Sequence, residues 1–324
     1  MSLSTLCSIN IRVNMRKILF PTLLLLFSLK VSAQKIAYTL TNAGDTTKNY
    51  YLTVHPEGEV KGFLLLLPGF GESPKQVLIE SDIHIHASKA GYLTLIPALG
   101  DWSFFYIDKQ SHEKLNQLLS EVFNKYKLYE KPFFIGGFSF GGNMALQYTQ
   151  AAYQPTSPLQ KPTGVFAIDP PLDIARLYTC MTTSNRPAKN PISVEEDQYI
   201  ANRIKQVFQQ DPQSNPSFFW SISPYAQSDP EHSSLKTLGA VPLRIYNEPD
   251  INWYIENRQV DYACMNVMDS AGLINWLRSK GNKKAELIIS TNKGYRKSRY
   301  IKHPHSWSIV EGAALVEWMN KLSK

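Results

Sequence analysis

Apolar and polar positions divide most of this chain into two alternating kinds of stretch. Short continuous apolar runs recur at Gly62-Phe63-Leu64-Leu65-Leu66-Leu67, Tyr92-Leu93-Thr94-Leu95-Ile96-Pro97, Pro132-Phe133-Phe134-Ile135, Gly164-Val165-Phe166-Ala167-Ile168-Asp169, Val241-Pro242-Leu243-Arg244-Ile245-Tyr246 and Ala285-Glu286-Leu287-Ile288-Ile289. Each is too short for a helix, and most lack polar alternation, which is how a strand buried on both faces of a parallel sheet reads. Between them lie stretches of helical period. Residues 74–90 predict a helix with Pro74 near its start and Gly91 at its close. Residues 111–128 place Leu115, Leu118, Leu119, Val122, Phe123 and Tyr126 on one face. A long helical region, continuous or broken, follows over about 253–280, and a closing helix carries Ile309, Gly312, Ala313, Val316 and Met319 on one face. Strands alternating with helices predict an α/β domain with a mostly parallel central sheet flanked by helices. Ahead of it, Ile36–Leu40 and Tyr50–Val54 flank the turn-forming Asn42-Ala43-Gly44-Asp45 and predict an antiparallel hairpin.

Two regions depart from this rhythm. Residues about 172–222 combine a proline-punctuated polar stretch (184–191), a helical segment near 194–210 and the aromatic cluster Phe218-Phe219-Trp220. An insertion of that length on the carboxyl-end side of a sheet strand predicts a helical cap over a cleft. The other departure is residues 1–33. Met15-Arg16-Lys17 is basic, Ile18 to Val31 is mostly apolar, and Val31-Ser32-Ala33 puts small residues before Gln34. That is the pattern of an export signal. It predicts Met15 as the true start, a mature chain from Gln34 and a periplasmic or extracellular location. Interrupted by Pro21, Ser28 and Lys30, the run falls short of the roughly 20 apolar residues of a membrane span. Residues 34–324 then form a single domain, and no stable membrane span is expected.

Composition changes this picture little. Hydrophobic residues are 43% and charged residues 19%, which suits a globular chain with a substantial core. The formal net charge of +7 invites a nucleic-acid reading, but Arg12, Arg16, Lys17 and Lys30 supply four of the seven. The remaining 30 basic and 27 acidic side chains leave +3, no electrostatic footprint for DNA or RNA. Of the three cysteines, Cys7 precedes the mature chain; Cys180 and Cys264 either pair after export or stay as buried thiols.

The candidate chemistry centres on Gly137-Phe138-Ser139-Phe140-Gly141, a G-x-S-x-G pattern with an apolar run before it and helix-forming residues after it. Such a nucleophile elbow holds a serine on a sharp strand-to-helix turn with its hydroxyl in the open. A serine hydroxyl is a weak nucleophile near neutral pH and needs a base, which in turn needs a carboxylate to hold its tautomer. Both are expected at the ends of later strands. His305 lies in His303-Pro304-His305-Ser306-Trp307 after the last strand, and Asp250 lies in Glu248-Pro249-Asp250 after the strand before it. His303 rivals His305, and Glu248 and Asp169 rival Asp250. His84 and His86 sit two apart on an expected helix, where they do not face each other, so no metal site is expected there. The basic stretch 293–302 reads most simply as a solvated loop, with Arg296 or Arg299 as candidates for binding a substrate carboxylate.

The order of elements, the elbow, the glycine loop Pro68-Gly69-Phe70-Gly71 and the late aspartate and histidine resemble the α/β-hydrolase fold over roughly residues 48–323. The resemblance implies Ser139 as nucleophile, His305 as base and Asp250 as acid, with the main-chain N–H groups of Phe70 and Phe140 as the oxyanion hole. It also implies hydrolysis of a small or oligomeric ester with no cofactor. A peptidase using the same triad, or a binding protein that has lost activity, are the alternatives. Phe218, Phe219, Trp220 and Arg296 are candidates for lining the substrate pocket. Pro68, where the family often has histidine, and Phe138, before the nucleophile, depart from the family's usual residues.

Overall fold

The strand runs pair much as their patterning predicts. The structure, a computed structural model, describes residues 34–41, 48–99, 107–183 and 191–324. The export signal expected over 1–33 and the turn at 42–45 lie outside the described residues. In chain order the elements are β1 (Ile36–Leu40), β2 (Asn49–Val54), β3 (Gly62–Leu67), α1 (Pro74–Glu80), α2 (Ile83–Lys89), β4 (Tyr92–Leu99), α3 (Lys109–Tyr126), β5 (Phe133–Phe138), α4 (Phe140–Ala152) and β6 (Gly164–Ile168). There follow α5 (Ile174–Thr182), α6 (Pro191–Phe208), α7 (Pro216–Ser221), β7 (Leu243–Asn247), α8 (Ile251–Arg258), α9 (Val267–Ser279), β8 (Ala285–Ile289), β9 (Tyr295–Arg296), β10 (Ile301–Lys302) and α10 (Gly312–Leu322).

β1 to β8 form one sheet in the order β1-β2-β4-β3-β5-β6-β7-β8. β1 and β2 pair antiparallel, β2 joins β4 antiparallel, and every later pairing is parallel. Fully apolar strands still alternate, because both faces are covered. Phe63, Leu65 and Leu67 of β3 join the core on one face with Leu115, Leu119 and Phe123 of α3 and Met144 of α4. Leu64 and Leu66 join the other, with Val77, Ile83, Leu315 and Met319 from α1, α2 and α10. Residues 34–324 form one compact unit.

Two expectations need correction, and one left open is decided. The helix expected over 74–90 is two helices, since Ser81 is extended and its Oγ accepts the Ile83 N–H at 3.2 Å. The region 253–280 breaks at Gln259, a left-handed residue (φ 50°) that ends α8, and resumes as α9. Ile309 lies in a 3-10 turn ahead of α10 and not on that helix. Within 172–222 the cap is α5, α6 and α7. Two links, among others, tie it to the sheet domain. Arg176 of α5 makes a bidentate pair with the buried Asp269 of α9, Nε to Oδ1 at 2.7 Å and Nη2 to Oδ2 at 2.6 Å. Cys180 of α5 and Cys264 form a disulfide, which resolves the alternative left open for these two residues. No helix among the described residues is long and apolar enough to cross a membrane.

Candidate active site

Ser139 joins β5 to α4 with φ 54° and ψ −125°, a conformation L-residues adopt only where the surroundings impose it. Its N–H donates to Ile168 O at 2.8 Å, which ties the turn to the end of β6. The glycines around it are required by contact. A Cβ on Gly141 would stand 2.3 Å from Pro68 O and 2.4 Å from Leu67 O; one on Gly137 would stand 2.5 Å from the Gly141 carbonyl carbon. These neighbours are main chain and cannot swing away, so the close approach of β3, β5 and α4 explains the motif physically.

The loop after β3 brings Phe70 to the same place. Glu72 is buried, and its Oε2 accepts from Gly69 N and from Trp307 Nε1, both at 2.9 Å. One carboxylate thus fastens the glycine loop to the segment that carries His305. Phe70 and Phe140 line a pocket of about 260 Å³ together with Ser139 and His305, and their rings meet edge to face at 6.4 Å. Leu177 and Met181 of α5 and Ile200 of α6 supply apolar wall from the cap.

His305 Nδ1 lies 2.5 Å from Asp169 Oδ2. A carboxylate accepts, so Nδ1–H is the donor in this contact. Asp169 follows β6 with φ 45°, and Asn247, the last residue of β7, donates to its Oδ1 at 2.5 Å. Asn266 donates to the Asp169 carbonyl at 2.9 Å. The Phe138 ring lies 4.4 Å from the imidazole, centroid to centroid.

Asp250, expected to orient the histidine, is elsewhere engaged. It caps α8 by accepting the Trp253 N–H at 3.0 Å and pairs with Lys302 at 2.5 Å. Those two contacts, the lysine first, hold its carboxyl below its ordinary range. The other rival, Glu248, is buried and spent on a loop: its oxygens accept from Ser290 Oγ and from the N–H groups of Lys293 and Gly294. His303 packs on Trp253, bonds the His305 carbonyl through Nδ1 at 2.9 Å and meets Arg258 through Nε2 at 3.3 Å. Burial, then the charges of Arg296, His305 and Arg258, push it down to about 3, so it stays neutral.

The aromatic cluster does not line this pocket. Phe219 is fully buried in the core, Phe218 packs against it, and Trp220 donates to Ser228 Oγ beside a separate cleft. The short α7 turns Phe219 inward. Arg296 does line the pocket, 5.1 Å over the Phe138 ring and 3.4 Å from Glu72 Oε1. The stretch 293–302 is a small hairpin, β9 paired with β10, whose turn is held by Glu80 through the N–H groups of Lys297 and Ser298. It is an ordered hairpin whose tip is exposed to solvent. His84 is buried, and burial pushes it down to about 4. Among the described residues no group of three or more His, Cys, Asp or Glu side chains could hold a metal ion.

Compared by sequence, the chain matches no family model and no curated protein. By structure it is similar to a truncated form of a carbohydrate esterase from gut microbiota (TM-score 0.59, 15% identity, covering 90% of this chain and 96% of that one). It is also similar to a substrate-bound fluorophosphonate-binding serine hydrolase of Staphylococcus aureus (TM-score 0.54, 14%, 89% and 99%). A third likeness is to the acylaminoacyl peptidase of Pyrococcus horikoshii (TM-score 0.53, 14%, 85% of this chain and 40% of that one). At these identities the likeness is one of fold. With the eight-stranded, mostly parallel sheet and its flanking helices, it establishes that this chain has the α/β-hydrolase fold.

Proposed function

We propose that this chain is a serine hydrolase that cleaves esters through Ser139, His305 and Asp169. The observation that carries the reading is the short contact of Asp169 Oδ2 with Nδ1 of His305, a residue that lines one pocket with Ser139 on its strained elbow. His305 Nε2 takes the proton of Ser139 Oγ as the oxygen attacks the carbonyl carbon. The oxyanion is met by the main-chain N–H groups of Phe140 and Phe70, donors whose loss costs about 100- to 1000-fold in comparable sites because the charge develops only in the transition state. The imidazolium, stabilised by Asp169, returns the proton to the leaving alcohol; water then repeats the sequence in reverse and frees the acid. No cofactor is required. Residues 15–33 act as an export signal, and the protein works outside the cytoplasm. Amide cleavage by the same triad is the second reading, favoured by the likeness to a peptidase.

Labelling with a fluorophosphonate probe tests the core of this. The wild type takes the label and Ser139→Ala does not; an unlabelled, folded wild type sinks the hydrolase reading. Turnover of 4-nitrophenyl esters against aminoacyl anilides then separates ester from amide.

A further inference from the structure

The pocket at Ser139 adjoins a second cleft of about 480 Å³ between α8 and the β9–β10 hairpin. Glu72, Arg258, Arg296 and His303 line both. We propose that this cleft holds the leaving alcohol of the substrate by a carboxylate, so that the preferred substrates are esters of carboxylate-bearing alcohols. The inference rests on the ester-hydrolase reading above and names its substrate class.

Its ground is an imbalance of donors over acceptors. Three guanidinium groups, Arg258, Arg296 and Arg299, line the cleft against two carboxylates, Glu72 and Glu80. The carboxylates are consumed internally. Glu72 Oε2 takes Gly69 N–H and Trp307 Nε1–H, and both Glu80 oxygens take main-chain N–H groups, at 2.7 and 3.2 Å. Arg258 is likewise held, by Glu196 and His303. Arg296 spends only Nη1, on a 3.4 Å contact, while its plane is fixed over Phe138. Arg299 makes no ion pair among the described residues. Arg299, together with Nε and Nη2 of Arg296, therefore has no protein acceptor among the described residues, and a planar carboxylate matches such donors in two parallel bonds. The carboxylates of Glu72 and Glu80 nearby disfavour a dianion such as a phosphate monoester.

The side of the reaction follows from the proton. His305 delivers it to the leaving oxygen, so the alcohol departs on the histidine side. The cleft borders that side through His303, while the apolar cap walls Leu177, Met181 and Ile200 are left for the acyl chain.

The test compares 3-carboxyphenyl acetate with its methyl ester, 3-(methoxycarbonyl)phenyl acetate, which differ in charge at one position of the leaving phenol. The ratio of kcat/KM, anionic over neutral, is expected at about ten or more in the wild type and closer to one in Arg299→Gln and Arg296→Gln. A wild-type ratio at or below one, or a ratio unmoved in both variants, overturns the proposal. Titration calorimetry on Ser139→Ala, with 3-hydroxybenzoate against methyl 3-hydroxybenzoate, reads the cleft without turnover. Tighter binding of the carboxylate, lost in the arginine variants, supports the cleft even if neither ester is hydrolysed, a result that would count against the hydrolase reading alone. Equal binding of the two compounds overturns the proposal.

Discussion

The ends of β6 and β7 lie side by side, and each is followed by carboxylates that could have served a histidine: Asp169 after β6, Glu248 and Asp250 after β7. At the end of β6, Asp169 is one residue past the strand, turned by a left-handed backbone, and bonds the imidazole at 2.5 Å. At the end of β7 the strand stops at Asn247, which supports Asp169 instead of replacing it. Glu248 folds back to hold the turn before β9, and Asp250 starts α8. All three acids follow a strand of the same sheet. They differ in which donors reach them first, and a carboxylate already saturated by N–H groups or a lysine is not available to a histidine.

That contrast can be broken most sharply at Asp169. Asp169→Asn keeps the shape but favours the wrong imidazole tautomer, and kcat is expected to fall by about ten-thousand-fold, as in comparable triads. Asp250→Asn should leave kcat within a few-fold; comparable losses in both would return Asp250 to the catalytic set. Next in size is Asn247→Leu, which removes a charge-assisted bond to Asp169. A loss of about tenfold in kcat with little change in KM is expected, and an unchanged kcat would show Asn247 to be a packing residue only.

Asp250→Ala tests the other end. Losing the helix cap and the Lys302 pair should lower stability by about 1 kcal/mol, read by urea denaturation, with the rate of hydrolysis kept. A stability equal to wild type would show the cap contact to be idle. A separate effect on stability belongs to acid pH. His303 and His84 are pushed down to about 3 and about 4 from the usual 6.5. Below pH 6.5 the unfolded chain binds protons there that the folded chain does not, so stability falls with pH, by up to about 1.4 kcal/mol per unit for each histidine. The decline runs from about 6.5 to the lowered values. His303→Phe keeps the packing on Trp253 and should flatten it; an unaltered slope would mean that His303 titrates as it does in solvent.

Much of the frame was legible because burial on both faces leaves a direct mark on composition. The apolar runs at 62–67, 92–97 and 285–289 became β3, β4 and β8, and G-x-S-x-G marked the elbow because close main-chain approach leaves room only for glycine. The cap was legible as an interruption. The acid was not, because a sequence shows that Asp169, Glu248 and Asp250 all follow strands but not which N–H groups surround each. The aromatic cluster misled for a similar reason: Phe218, Phe219 and Trp220 look alike as a string, and only the turn of α7 sends Phe219 into the core. Glu72 and Asn247 carried no pattern at all.

The chain's own pattern determined the order of strands and helices, the strained serine between β5 and α4, and the neighbourhood of its histidine. These depend on local period and steric need, which are written residue by residue. Only the tertiary structure decided that Asp169 meets His305, that Asp250 meets Lys302, and that Cys180 meets Cys264. Each of those pairs joins segments far apart in sequence, and competition among several donors for one carboxylate is settled by distance, which no linear pattern records.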